Sequence, residues 1–207
     1  MRDIYLYDDC PVLINKLGIK EQKLLDDAEA DYVSYRLREL AIHPLTGDYS
    51  YQHLLQMHFT IFQDLYEWAG TQRKLNIYKE EPVLGGLSVE YSDTLDIARD
   101  AQQILVEMTA KNWQKMNVSE KALEFTDSMA KLWKVHCFRE GNTRTVITFC
   151  CQYADEKIQH IDRELFEKNS QYMRTALVAY NAVFSDMGDL SKKEYLRRIV
   201  ADAFGNL

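Results

Sequence analysis

The chain has 207 residues, and its 25 Lys and Arg against 32 Asp and Glu give a formal net charge of -7. This acidity argues against nucleic acid as the main partner, because such binding needs clustered basic side chains. The length suffices for a full hydrophobic core and no low-complexity stretch divides it, so one domain over 1–207 is predicted. No apolar run is long enough to span a bilayer, which predicts a cytoplasmic protein with no membrane partner.

Helical periodicity dominates the first part of the chain. Only three prolines and eight glycines occur, and apolar stripes predict a helix over 20–40 and a second from a cap at Asp48 or Ser50 to about Trp68. Between 71 and 91 the helical period disappears, and apolar residues flank the Gly85-Gly86 pair. That pattern predicts a short β-hairpin in an otherwise all-α chain.

The second half of the chain is again helical. Polar caps and apolar stripes predict helices over 92–111, from Ser119 through Trp133, over 144–157, over 162–183, and from a capping box at 191–194 onward. The segment 136–144 lies between two of these helical patterns, so we expect it to be a connecting loop.

This loop carries the residue types of a phosphate site. It reads His-Cys-Phe-Arg-Glu-Gly-Asn-Thr-Arg from His136 to Arg144. The amides of Gly141, Asn142 and Thr143 are expected at the start of the next helix, where free N–H groups and the helix dipole bind anions. Glycine at 141 lets the backbone approach such a ligand closely.

The side chains around the loop suggest the remaining roles. His136 is a candidate general base, because an imidazole titrates near neutral pH. Glu140 can hold Mg²⁺ against phosphate oxygens, and Arg144 offers a planar fork of donors to them. Arg139 is a further candidate phosphate ligand, and Phe138 is predicted to point inward and attach the loop to the core.

The segment 136–144 resembles the signature HxFx[D/E]GNxR of the Fic (filamentation induced by cyclic AMP) family and matches every fixed position. Upstream, 64–73 is similar to the family segment D-x-Y-x-W-A-G-x-x-R, and the resemblance extends over a core of about 20–190. It implies an all-α Fic fold in which the hairpin is a flap over the active site. The implied activity is that of a Fic/DOC-type protein adenylyltransferase, which transfers AMP from MgATP to a Ser, Thr or Tyr hydroxyl of a target protein or of itself.

The resemblance also implies individual roles. His136 would deprotonate the target hydroxyl and Glu140 would bind Mg²⁺, while the amides around Gly141 and Asn142 would hold the α- and β-phosphates with Arg144 beside them. In this family the flap, here 71–91, pairs with the backbone of the target by strand addition. We expect Lys79 to make a contact there.

Three departures from the family pattern affect the expected chemistry. Cys137 replaces a usual proline, and Thr143 replaces a common glycine that is lysine in the Doc-type kinases of the family. Ile147 stands where many members carry a second arginine that orients the γ-phosphate. No Ser or Thr of the sequence is followed four positions later by Glu, so the inhibitory motif [S/T]xxxE[G/N] is absent. This predicts that the usual intramolecular inhibition is missing, and it leaves an antitoxin or inhibitory protein acting in trans as a candidate partner.

Two alternatives stay open at this point. A Fic-fold transferase could use another donor and transfer UMP, phosphocholine or a phosphoryl group, since Ile147 and Thr143 both depart from the pattern. A catalytically inactive module could bind nucleotide or a partner without turnover, although the presence of His136 and Glu140 favours a catalyst.

Overall fold

The computed structural model describes residues 3–205, in which helices surround a central helix, α4. The helices are α1 Gln22–Ile42, α2 Tyr51–Phe62, α3 Ile97–Thr109, α4 Val118–Val135, α5 Asn142–Tyr153, α6 Arg163–Lys168, α7 Ser170–Tyr180 and α8 Glu194–Ala203. Strands β1 Val183–Phe184 and β2 Gly188–Asp189 pair in antiparallel fashion. The predicted mostly helical class is confirmed.

Helix α4 forms the centre because almost every turn of it is buried. Asn117 caps its start in a capping box: the Asn117 side chain accepts from the Glu120 amide, and the Glu120 side chain accepts from the Asn117 amide. Helices α3, α5, α7 and α8 pack against it, and Phe125, Met129 and Trp133 lie fully inside this contact. The helix ends where His136 adopts the left-handed conformation, so the core places the end of α4 at the predicted site.

Two helices near the site are shorter than the sequence predicts. Helix α2 ends at Phe62 instead of about Trp68, and turns follow it as far as Gly70. The φ of Gly70 is 78°, and its N–H donates to His58 Nδ1 at 2.8 Å. Helix α3 begins at Ile97 instead of Ser92. The Ser92 hydroxyl bonds the Asp100 carboxylate, so it does not cap the helix.

The C-terminal third also differs in its helix boundaries. The predicted helix over 162–183 starts as expected, with the Asp162 side chain accepting from Leu165 N–H, but it is broken at Asn169 into α6 and α7. The predicted capping box at 191–194 is wrong, because the Ser191 amide bonds the Asp189 carboxylate and α8 starts without a side-chain cap. After α5 the chain continues as a π-helical turn, Ala154–Ile158.

The segment 71–91, called the flap below, runs out and back over the site but forms no β-strands, which corrects the predicted hairpin. Pro82 opens a single 3-10 turn that ends at Gly85 and Gly86, both at positive φ. Two backbone bonds join its two arms, from Glu81 N–H to the Leu87 carbonyl at 3.0 Å and from Gly86 N–H to the Glu81 carbonyl at 3.1 Å. No ladder extends beyond them, because the next amide in register, that of Lys79, bonds the Ser88 hydroxyl. The regular strands lie at β1 and β2 instead.

Arg73 holds both ends of the flap. Its side chain is 1% exposed, and its guanidinium donates to the carbonyls of Leu75 at 2.8 Å, of Ser92, and of His136 at 2.8 Å. A fourth acceptor is Asn76 Oδ1 at 3.2 Å. The flap and the end of α4 are therefore joined through one buried cation.

No helix between residues 3 and 205 has the length and apolar character needed to cross a membrane.

We predict that Arg73→Lys lowers the free energy of unfolding by about 3 kcal/mol, because an ammonium cannot reach several acceptors on different sides and leaves buried carbonyls without donors. Arg99→Lys is the matched control: its side chain is 67% exposed, so the same exchange should change stability by less than about 0.5 kcal/mol. Urea denaturation of both variants measures the difference. Equal effects would contradict the bridging role of Arg73.

Candidate active site

His136 terminates α4 in a conformation that directs its ring into the protein. Its φ is 53°, one of two positive values among the described non-glycine residues. The His136 carbonyl accepts from Arg73 Nε at 2.8 Å, which holds this backbone in place. A strained backbone conformation persists where the surrounding structure fixes it, and at His136 the buried Arg73 does so.

The imidazole of His136 is buried and has no polar partner. It is stacked on Tyr91 with ring centroids 4.0 Å apart, and it meets the Trp133 ring edge-on at 5.4 Å. Neither ring nitrogen has a hydrogen-bond partner among the described residues. Burial lowers the pKa of His136 well below its usual value, and the nearby charges of Lys79 and Arg73 add to this. The ring is therefore neutral at pH 7 and able to accept a proton.

Glu140 lies among basic groups at the next bend of the loop. Lys79 Nζ is 3.3 Å from its Oε2, and Arg144 approaches its Oε1 at 3.9 Å. The Gly141 amide donates to Oε1 at 2.9 Å. Burial opposes ionisation, but the Lys79 charge, the amide bond and the Arg144 charge outweigh it, so the pKa of Glu140 lies below its usual value. The carboxylate is ionised and already arranged around a cation.

The predicted phosphate cradle corresponds to the start of α5. Gly141 is its N-cap at φ 81°, and the first N–H groups of the helix have no intrahelical acceptor. The Asn142 side chain closes the loop on itself, accepting from Phe138 N–H at 2.9 Å and donating to the Phe138 carbonyl at 2.7 Å. The Thr143 hydroxyl accepts from Trp133 Nε1 at 2.9 Å. The side chains of Asn142 and Thr143 thus shape the loop, while the Gly141 amide is bonded to Glu140.

A second set of contacts attaches the loop to α2. Phe138 is fully buried, as predicted, and stacks on His58 with centroids 3.8 Å apart. His58 Nε2 donates to the Glu140 carbonyl at 3.1 Å, while Nδ1 accepts from Gly70 N–H. Burial lowers the pKa of His58 to about 3, so it is neutral and serves as a structural link between α2 and the loop.

One cavity brings most of the predicted residues together. It has a volume of about 240 Å³ and is lined by Lys79, Trp133, His136, Glu140, Gly141, Asn142, Thr143, Arg144, Ser170, Gln171 and Arg174. The last three come from α7, and sequence reasoning missed them because that helix shows only an ordinary apolar stripe. Tyr91, which covers the His136 ring, was missed for a similar reason: in the sequence it marks only the end of the flap.

Arg139 is not brought to this cavity. Its Nε and one terminal nitrogen bond the Asp3 carboxylate at 3.0 and 2.8 Å, and it faces a separate surface cavity beside Lys74 and Asn76. Its prediction as a phosphate ligand therefore fails on geometry. The reason is local: Phe138 points inward, and Arg139 leaves the loop on the other side, where Asp3 binds it.

Two further observations concern the ligands of the site. Ile147 packs against the core beside Val33 and Leu37 of α1 and Phe166 of α6, so position 147 offers no charge to a phosphate. Among residues 3–205, no group of three or more His, Cys, Asp or Glu side chains is arranged to hold a metal ion. A single carboxylate, that of Glu140, is nevertheless sufficient for Mg²⁺ when substrate phosphates complete the shell.

The fold and the site together define a helical protein with a buried imidazole beside a helix N-terminus suited to phosphate. The Fic/DOC family model matches residues 48–154. The chain belongs to the Fic/DOC family.

Its relatives carry names of one activity. The chain is 30% identical over 178 residues to "Protein adenylyltransferase VbhT" of Bartonella schoenbuchensis, which covers 86% of this chain and 36% of that protein. It is 32% identical over 151 residues to "Probable protein adenylyltransferase y4lH" of Sinorhizobium fredii, covering 72% of this chain and 73% of that protein. The chain thus spans little more than a third of VbhT.

The fold is also similar to solved structures. The BepC protein of Bartonella tribocorum, a VirB-translocated effector solved with bound AMPPNP, superposes with a TM-score of 0.78 at 21% identity. The match covers 96% of this chain and 95% of that one. At this identity the likeness establishes the fold, which agrees with the fold class implied by the sequence resemblance.

We predict that Gly141→Ala lowers the free energy of unfolding by about 3 kcal/mol. The added Cβ would lie 2.3 Å from the Phe62 ring and would also carry the left-handed strain of a φ of 81°. Gly85→Ala is the matched control, because its φ is 66° but nothing lies within 4 Å of its Cβ position, so strain alone should cost about 1 kcal/mol. Thermal or urea unfolding of the two variants separates the cost of the contact from the cost of backbone strain. If Gly141→Ala lowers the free energy of unfolding no more than Gly85→Ala does, the close approach of the Phe62 ring to Gly141 is contradicted.

We also predict that acid destabilises the protein through its buried histidines. The pKa of His58 is about 3, so the unfolded chain binds a proton near pH 6.5 that the folded chain cannot. This contribution to stability is present above pH 6.5 and is lost as the pH falls, by about 2 kcal/mol between pH 7 and pH 5 for a histidine that stays neutral. Urea unfolding at the two pH values measures it.

His58→Gln should reduce this pH dependence, whereas His43→Ala, a change at an exposed histidine, should leave it intact. If the wild-type protein were equally stable at pH 7 and pH 5, the neutral state of the buried imidazoles would be excluded.

Proposed function

We propose that this chain is a nucleotidyltransferase that transfers AMP from MgATP to a Ser, Thr or Tyr hydroxyl of a protein, including its own. The observation that carries the proposal is the neutral, unpartnered imidazole of His136 in the same cavity as the N-terminus of α5. The names of the relatives support it, as they denote the same activity.

The reaction follows from these positions. A nitrogen of His136 accepts the proton of the target hydroxyl, and the oxygen attacks the α-phosphorus. The bond from the α-phosphorus to the bridging oxygen breaks, and pyrophosphate leaves. The amides at the start of α5 donate to the phosphate oxygens, and Arg144 beside them offsets the charge that develops there. The neutral state of the imidazole is essential, because a protonated ring could not take the proton.

Glu140 fits the role of a magnesium ligand. It is an ionised carboxylate at the cradle, and its contact with the Lys79 ammonium at 3.3 Å supports the proposal that a cation is favoured at this position. Mg²⁺ bound by Glu140 and the phosphates supplies charge neutralisation for the pyrophosphate. The same contact assigns Lys79 to Glu140, whereas the sequence suggested a contact with the target.

The flap is proposed to dock the target. Its arms are extended and are joined to each other only near the turn, by two backbone bonds, so the backbone of residues 76–78 is available to an added strand of the target. Tyr78 at the flap is exposed and is a candidate for self-modification. The setting proposed is the cytoplasm, with regulation by an antitoxin or inhibitory protein in trans, since the sequence contains no intramolecular inhibitory motif.

A different donor is the second candidate function. The apolar surroundings of Ile147 leave the terminal phosphate without the arginine common in the family, and Thr143 forms a hydrogen bond to Trp133 in place of a ligand contact. UMP, phosphocholine or phosphoryl transfer would retain the base and the cradle and change only the group transferred. A module that binds nucleotide or a partner without turnover would retain the cradle alone.

We predict that the purified chain labels protein from ATP carrying the label on the α-phosphate and not from ATP labelled on the γ-phosphate. His136→Ala should reduce the rate by at least about 100-fold, because the general base is removed. His43→Ala, at an exposed position, should leave it unchanged. Labelling by the intact chain also tests the proposed lack of intramolecular inhibition.

The other outcomes separate the alternatives. Label from the γ-phosphate alone would mean a kinase, and label from neither position with intact nucleotide binding would mean a binding module. Glu140→Gln should weaken the dependence of the rate on Mg²⁺ concentration, and an unchanged dependence would remove Glu140 from the metal site.

A further inference from the structure

Arg174 enters the nucleotide cavity from a helix outside the signature loop. It lies on α7 and lines the same cavity as His136, Glu140 and the start of α5. It belongs neither to the segment 136–144 nor to the segment 64–73 that carries the sequence resemblance. Its place in the cavity is set by packing of α7 on α8 and on the 3-10 turn of the flap.

Glu81 of the flap fixes the orientation of Arg174. The two Oε atoms of Glu81 accept from the two terminal nitrogens of Arg174 at 2.8 and 2.7 Å. The Glu81 side chain is 1% exposed, whereas that of Arg174 is 38% exposed. A forked pair of this kind uses two of the five N–H donors of a guanidinium. No other hydrogen bond joins the Arg174 guanidinium to the described residues, and the side chain lines the cavity.

The other cations of the cavity are engaged differently. Arg144 bonds Glu29 at 2.5 Å and also lies over the Phe62 ring, and the Lys79 ammonium contacts Glu140. Both are held beside the cradle itself. Beyond the cradle, position 147 is apolar and cannot bind the terminal part of a polyphosphate. Arg174 has the donors and the orientation that position 147 lacks.

We infer that Arg174 is a nucleotide-binding residue that donates to the terminal phosphates of the donor nucleotide, with Glu81 as the residue that positions it. This inference rests on the proposed function, since it takes the bound ligand to be a nucleoside triphosphate. It assigns a role that neither the signature nor the names of the relatives contains.

Calorimetric titration of the whole chain with ATP and with AMP, both in the presence of Mg²⁺, tests the assignment. Arg174→Ala should weaken ATP binding by at least about 10-fold and AMP binding by less than about 2-fold, because a charged hydrogen bond is worth about 1.5–3 kcal/mol and AMP has no terminal phosphates. Arg198→Ala, at an exposed position on α8, is the control and should alter neither affinity.

Two further variants test the same point if Arg174→Ala does not fold. Arg174→Lys retains the charge opposite Glu81 but loses the fork, and Glu81→Gln weakens the carboxylate that orients the guanidinium, so both should also reduce ATP affinity more than AMP affinity. Equal losses for ATP and AMP, or no loss for either, would overturn the assignment. If the wild-type chain bound neither nucleotide, the proposed function itself would be refuted, which is a distinct result.

Discussion

The arrangement of the site depends on one buried cation, Arg73. Its guanidinium joins the first arm of the flap at Leu75, the end of the flap at Ser92 and the last residue of α4, His136. The acceptors of its hydrogen bonds are neutral carbonyl and amide oxygens, which is unusual for a buried charge. Burial lowers the pKa of Arg73. The structure tolerates this because several carbonyl dipoles share the charge. As a consequence, the flap cannot shift at its root without disturbing the backbone of the proposed base.

A second link, through His58, fixes the same loop from the opposite side. Its two ring nitrogens bond the Glu140 carbonyl and the Gly70 amide, and its face packs on Phe138. Arg73 lies in the segment 64–73, and Gly70 of the same segment donates to His58, so both links depend on that segment. This accounts for the occurrence of that segment alongside the loop in the family pattern, because the segment holds the loop in place. Its aromatic residues contribute packing, not chemistry.

The sequence predicted those parts of the site that are encoded locally. The inward Phe138 and the meeting of His136, Glu140 and Gly141 in one cavity follow from residue types within a single loop, whereas the roles of base and phosphate cradle stay predictions. Arg139 was misassigned, because spacing alone does not reveal which side of a loop faces the ligand. Tyr91 and Arg174 reach the cavity through tertiary packing, which leaves no periodic trace in the sequence. The prediction of a β-hairpin in the flap is wrong for a related reason. Alternating apolar residues predict strands, but the Lys79 amide donates to the Ser88 hydroxyl instead of to the opposite arm. Strand propensity gives way to such local bonds.

The charges around the cavity are matched before any ligand binds. Lys79 faces Glu140, Arg144 faces Glu29, and Arg174 faces Glu81, so three cations are each held in a fixed direction by a carboxylate. Such pairing lowers the cost of holding charged groups in a partly buried site and keeps them in position when phosphates arrive. The three ion pairs also differ in where their carboxylates lie. The carboxylates of Glu29 and Glu81 lie on α1 and on the flap, away from the signature loop, and can retain their cations while the nucleotide binds. Glu140 lies in the loop itself, so the proposed binding of Mg²⁺ at its carboxylate would require Lys79 Nζ, 3.3 Å from Oε2, to move away. Binding of the metal there would be coupled through Lys79 to the flap that is proposed to receive the target.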